Sequence, residues 1–174
     1  MKTVKKIIIL LLIFFPINST LFAETPHYID FKFILNESNA GKKAQLFLKN
    51  KLDKGVKNIQ AKQKKLQEEE NQIIQQKKVI SAEDYKKKVT GLRNKVSNLQ
   101  KERNTLLESV AKQRALARKK LLDSLNPIIK DYMKNKNIKM VIDKKSLLLA
   151  DESLNITKDI MTLLNDKLKS INLK

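Results

Sequence analysis

Apolar residues recurring at alternating steps of four and three through the middle of this 174-residue chain restrict it to long paired helices. After residue 81 the stripe runs through Tyr85, Val89, Leu92, Val96, Leu99, Leu106, Val110 and Ala117, with Arg103 and Gln113 at its two polar positions. Before it, Leu52, Ile59, Leu66, Ile73 and Ile80 hold one stripe at intervals of seven, while the complementary stripe reads Val56, Gln63, Glu70 and Lys77. A half-polar seam of this kind weakens a coiled coil while fixing its register. Between residues 55 and 125 the only helix breaker inside is Gly91, and Lys, Gln, Glu, Leu and Ala, all good helix formers, dominate. The whole chain has three glycines and three prolines, so few turns and long elements are expected.

The two periodic halves meet at residues 79–84, where Ser81 can cap a new helix and Asp84 can complete a capping box, with Glu83 and Asp84 facing the positive end of the helix dipole. The prediction is a hairpin: a first helix over 39–79 and a second from 82 to about 134, bent where Pro127 removes a backbone donor. Forty residues at ~1.5 Å each make an arm on the order of 60 Å long. Gly55 and Gly91 read as glycines merely tolerated within it. The acidic triplet 68–70 is expected opposite residues 88–93, as an inter-helix ion-pair cluster that sets register.

The ends of the chain have another texture. Ile29, Phe31 and Phe33 alternate with Asp30 and Lys32, the period of a half-buried strand. Downstream, Ile138, Met140 and Ile142 alternate in the same way, a turn follows at 143–146, and 147–150 reads as the second strand of a hairpin. Thr157 can cap a short helix with Ile160, Leu163, Leu164 and Leu168 on one face. The predicted fold class is α+β: a long antiparallel α-helical coiled-coil hairpin (39–134, tip near 79–82) inserted in a small β body of three strands and a C-terminal helix per chain (24–38 and 135–174). Fewer than 70 residues make a marginal core, and association of copies is the ordinary remedy.

Residues 1–23 have the organisation of a secretory signal peptide. Lys2, Lys5 and Lys6 precede nine consecutive apolar residues, 7–15, then Pro16 and a polar stretch ending at Leu21, Phe22 and Ala23. The apolar run falls well short of the roughly 20 residues a membrane helix needs, so export with cleavage after Ala23 is expected. The remaining chain carries 34 basic and 18 acidic residues, a net charge of +16. Such a charge points first to nucleic acid, but export sets that partner aside in favour of acidic polypeptides, lipopolysaccharide or an anionic membrane surface. With no cysteine and His27 as the only histidine, neither a disulfide framework nor a thiolate or histidine metal site is available. No acid pair, nucleophile or phosphate loop stands out, so the expectation is a protein without cofactor or enzymatic activity.

The charge is concentrated in the arm: residues 42–120 hold 23 Lys and Arg against eight Asp and Glu, nearly all of the net positive charge. Any single lysine reads as the solvated flank of a coiled coil, but the accumulation implies a negatively charged partner. The candidate contacts for such a partner are Lys62, Lys64, Lys65, Lys77, Lys78, Lys86, Lys87, Lys88 and Arg93 for attraction, with Ile73, Ile74 and Tyr85 for apolar contact.

The segments YIDFKFILNESNAGKKAQ (28–45), MVID (140–143) and NITKDI (155–160), together with the charged hairpin, resemble the Skp/OmpH family of periplasmic chaperones, in order along the whole chain after the signal. One departure is Asn39, where the family has proline before Ala-Gly. The resemblance implies a homotrimer whose strands close a small shared barrel, with three arms around a cavity. Unfolded outer-membrane proteins would be held there without ATP. The alternative is an envelope structural coiled coil tethered by an uncleaved signal.

Overall fold

The computed structural model describes residues 25–173, so the expected signal peptide lies outside the described residues. The elements in order are β1 (His27–Ile29), α1 (Phe31–Glu37), α2 (Asn39–Gln76), α3 (Ala82–Asn135), β2 (Val141–Asp143), two 3-10 turns (Lys144–Ser146 and Glu152–Leu154) and α4 (Thr157–Lys167).

The arm has the form that its periodicity predicts. α2 and α3 run antiparallel in constant register: Lys51 meets Gln113 at 2.9 Å, Lys62 meets Glu102 at 2.5 Å, and Lys88 meets Gln76 at 2.6 Å. Each step along one helix is matched by an equal step back along the other. The acidic triplet reaches further than predicted, because Glu69 pairs with Lys95 at 2.6 Å rather than with 88–93. α3 starts only at Ala82, so the partners lie about a turn beyond where a hairpin centred on Ile80 would put them. Gly55 is no passive glycine: a Cβ there would fall 2.4 Å from Leu106 Cδ2, so the helices close up at this point. Gly91 faces open space.

The junction between α1 and α2 is set by two residues. Ser38 is fully buried with extended backbone, and its hydroxyl accepts from the Gly41 N–H at 3.2 Å, capping α2. A Cβ on Gly41 would lie 2.2 Å from the Leu35 carbonyl oxygen, so only glycine lets the two helices approach this closely. Asn39 has a use for the N–H that a proline would lack, donating it to Asn165 Oδ1 of α4 at 2.8 Å.

The body departs from the predicted elements in three places. Phe31 and Phe33 lie in α1, not in a strand, because the Asp30 carboxylate accepts from the Phe33 N–H at 2.8 Å and starts a helix. That turn buries Ile34 and leaves Phe33 46 % exposed. No hairpin forms over 138–150. Asp143 caps a 3-10 turn instead of a β-turn, and Leu148 and Leu149 of the expected second strand stand fully in solvent. β2 pairs with β1, in parallel, with Tyr28 opposite Ile142, and Tyr28 makes a single bridge to Asn155 on its other side. The two chain ends therefore meet in one small sheet with the arm inserted between them. Finally, Thr157 does not cap α4. The Asn155 side-chain oxygen Oδ1 accepts from the Thr157 N–H at 3.1 Å, while the Thr157 hydroxyl accepts from the Asp30 N–H at 2.9 Å and ties α4 to β1.

One core joins these pieces, with Ile29, Ile34, Leu125, Ile128, Ile160 and Leu164 at or near complete burial. The root of α3 is thus part of the body's core. A smaller cluster continues up the arm through Ala44, Leu48, Val110 and Ala117, and its fifth member is Leu173 from the segment after α4. Tyr28 and Tyr132 clamp the outer layer. The Tyr28 hydroxyl donates to Glu152 at 2.8 Å, which pushes its pKa up, while Asn155 and then Tyr28 hold the Glu152 carboxyl below its usual range. The Tyr132 hydroxyl donates to Asp159, and burial together with that carboxylate raises its pKa to about 12.

Candidate functional site

The far end of the arm is built from a short turn between two capped helices. α2 ends at Gln76, whose carbonyl accepts the N–H groups of Val79 and Ile80 at 2.9 and 3.1 Å. Ser81 then caps α3, accepting from the Asp84 N–H at 3.1 Å. The Asp84 carboxylate is bound by the Ser81 hydroxyl at 2.7 Å, so the shorter acid meets the cap's side chain instead of its backbone N–H. Lys88 Nζ bonds back to Gln76 Oε1 and closes the tip from the side.

Around this turn the structure gathers Lys77, Lys78, Lys86, Lys87 and Lys88. Lys77 Nζ sits 5.9 Å from the centroid of the half-buried Tyr85 ring, so Tyr85 presents one face to a cation. Lys87 pairs with Glu83 at 2.8 Å, whereas Lys78 and Lys86 make no ion pair among the described residues. Lys62, Lys64, Lys65 and Arg93 lie further down the shaft. Lys62 is engaged by Glu102, and the other three point to solvent without an ion pair among the described residues. The candidate cations thus divide into a cluster at the tip and a row along the arm.

The apolar candidates separate more sharply. Ile73 is 6 % exposed, taken up by the seam, and offers no contact to a partner. Ile74, the next residue, is 57 % exposed. Val79, which the periodicity had placed only at the break between helices, is 80 % exposed at the apex among the lysines. Its position outside both stripes was the available signal. At the root, a groove of 1070 Å³ opens between α1, α2 and α3, with Leu48 and Val110 in its floor and Lys32, Lys49, Arg114 and Arg118 around it. Among the described residues there is no group of three or more His, Cys, Asp or Glu placed to hold a metal ion, and no helix long and apolar enough to cross a membrane.

A helical-hairpin prong with a cationic, partly aliphatic tip, rooted in a small α+β body that brings β1 and β2 together, defines the structural class of the protein. A model of the family described as outer membrane protein (OmpH-like) matches residues 27–164, most of the chain, and the protein belongs to that family. An uncharacterized protein of Aquifex aeolicus (strain VF5) is 29 % identical over 133 residues, covering 76 % of this chain and 81 % of that one. The crystal structure of an OmpH-like protein of Caulobacter crescentus CB15 aligns with a TM-score of 0.78 over 85 % of this chain and 89 % of that one. At 17 % identity this likeness is one of fold.

Proposed function

We propose that the protein is an ATP-independent periplasmic holdase that keeps unfolded outer-membrane proteins from aggregating, in a space between arms of three associated copies. The observation that carries the reading is the tip, where five lysines and the exposed Ile74 and Val79 fall within the end turns of the two helices and the turn between them. Cations at long range attract a chain of net negative charge, and small apolar contacts hold it weakly enough for release. Family membership supports the chaperone role and the periplasmic location. Exposed Leu148 and Leu149, fully in solvent on a single subunit, support a body completed by other copies of the chain.

The contact residues under this reading are Lys62, Lys64, Lys65, Lys77, Lys78, Lys86, Lys87, Lys88 and Arg93, with Ile74, Val79 and the open face of Tyr85. Residues 1–23 direct export and are removed, 24–38 and 135–174 form the associating body, and 39–134 form the arm. Lipopolysaccharide or an anionic membrane surface is a secondary partner for the same charge. Release needs no nucleotide, because a binder of the unfolded state gives up its client as folding or membrane insertion proceeds.

Diluting an unfolded outer-membrane protein from urea with and without the purified protein, and following light scattering, tests this directly. Suppression of scattering near stoichiometric amounts, with a solution mass of three chains, is expected. Undiminished scattering overturns the reading. The association rate should fall as salt rises through the range where the Debye length shrinks from about 30 to 8 Å.

A further inference from the structure

Residues 168–173 leave α4 and run back onto the arm root, where they behave as a bound peptide. Ile171 is half-buried, Asn172 is exposed and Leu173 is 4 % exposed, the in-and-out alternation of a strand. Leu173 fills the slot made by Ala44 and Leu48 of α2 and Val110 and Ala117 of α3, and Ile171 lies between this cluster and the body core. Two side chains of α3 capture consecutive carbonyls of the segment: Gln113 Nε2 donates to the Leu173 oxygen at 2.7 Å and Lys120 Nζ to the Asn172 oxygen at 2.9 Å. The two donors are seven residues apart and so share one face of the helix. Gln113 is itself oriented by Lys51 of α2, which donates to Gln113 Oε1 at 2.9 Å and to Ser109 Oγ at 2.8 Å.

This arrangement recognises backbone and alternation rather than sequence. Carbonyl capture works on any extended chain, and the slot asks only for a medium-sized aliphatic side chain at every second position. Transmembrane strands of barrel proteins carry that pattern, with apolar and polar residues alternating over about ten positions. We propose that the arm-root cleft is a seat for such a strand, occupied in the free protein by residues 171–173, which the incoming strand displaces. The inference rests on the holdase reading and gives it a second, apolar contact site far from the cationic tip. A segment seated in nine of ten molecules lowers the apparent affinity of the cleft about tenfold, since only the open fraction binds.

The test uses the full chain with methyl-labelled leucine and an uncharged, end-capped peptide of ten residues alternating valine and threonine, so that attraction by net charge plays no part. As peptide saturates the protein, the Leu173 methyl resonances are expected to leave their buried positions and move to those of a solvated leucine. Leucine methyls that stay in place, whether the peptide binds elsewhere or nowhere, overturn the inference. Leu173→Asp, which empties the slot without touching the helices, should bind the peptide about tenfold more tightly than the parent. Unchanged or weaker binding, with the helical circular dichroism signal intact, also overturns it. Lys120→Ala serves as the second variant: its side chain holds only the carbonyl of the segment, so the Leu173 methyls should shift toward solvent before peptide is added, and unmoved methyls count against carbonyl capture. Suppression of client aggregation by the parent protein separates the two levels. Suppression with an unmoved Leu173 sinks the cleft alone, whereas no suppression sinks the holdase reading beneath it.

Discussion

The arm and the body use opposite strategies to hold a chain in place. In the body, four segments (β1, α1, the root of α3 and the start of α4) contribute Ile29, Ile34, Leu125, Ile128, Ile156 and Ile160 to one buried centre. Along the shaft only two helices meet, and seam residues such as Val56 and Val96 remain 39 % and 52 % exposed. Cross-links from long polar side chains, Lys62 to Glu102 and Lys95 to Glu69, take over where apolar contact thins. Exposed pairs of this kind contribute about 0 to 1 kcal/mol each, so they align the shaft more than they stabilise it. The difference teaches that cooperativity resides at the root, while the shaft is an extension whose order depends on being anchored there.

The contrast is sharpest for cavity-forming changes. Leu125→Ala, at a site of complete burial, should cost about 2 to 5 kcal/mol in urea unfolding, whereas Val96→Ala in the shaft should cost well under about 1 kcal/mol. Equal losses at the two sites would break the comparison. Helix caps should follow the same order. Ser38→Ala removes a buried cap and should cost up to about 2 kcal/mol, while Ser81→Ala at the exposed tip should cost about 0.5 to 1 kcal/mol, both read from thermal unfolding.

Glycines within the shaft sharpen the comparison locally. Gly91→Ala enters open space in a helix interior and should raise stability by about 0.5 to 1 kcal/mol. Gly55→Ala drives a methyl into Leu106 and should instead destabilise, by about 1 kcal/mol, with the inter-helix spacing widened. The smallest effect is a pH dependence confined to the body. The folded pKa of Tyr132 lies above its unfolded value, near 10, so its contribution is fully present below pH 10 and is lost as pH rises toward about 12. Tyr132→Phe should flatten the alkaline limb of the stability curve. Glu152 has the opposite sign, its stabilisation present above the ordinary carboxylate range and lost as pH falls through its lowered pKa.

The shaft was the legible part of this sequence because its periodicity is local, and each apolar position is explained by neighbours three or four residues away. The start of α3 was equally readable from Ser81, and the start of α2 at Asn39 came with it. The body was harder for a physical reason: its order depends on contacts between residues more than a hundred positions apart. Alternation at Ile29, Phe31 and Phe33 could not reveal that Asp30 would cap a helix, since the same letters satisfy both periods over so short a run. Nor could it reveal that β1 would take β2 as a parallel partner. Of the candidate site, the clustering of lysines at the tip followed from sequence. The loss of Ile73 to the seam and the exposure of Val79 required the register of both helices. Gln113 was visible only as a polar flaw in the stripe. Its two partners, Lys51 and Leu173, come together with it through the fold.

Because both helices keep one continuous register from root to tip, the shaft is modular in length. Excising a matched block of seven residues from each would shorten the reach by about 10 Å and rejoin seam to seam, leaving anchorage and apex untouched. Such a chain could be scaled to larger or smaller cargo by duplication or deletion, without re-inventing the platform on which it stands.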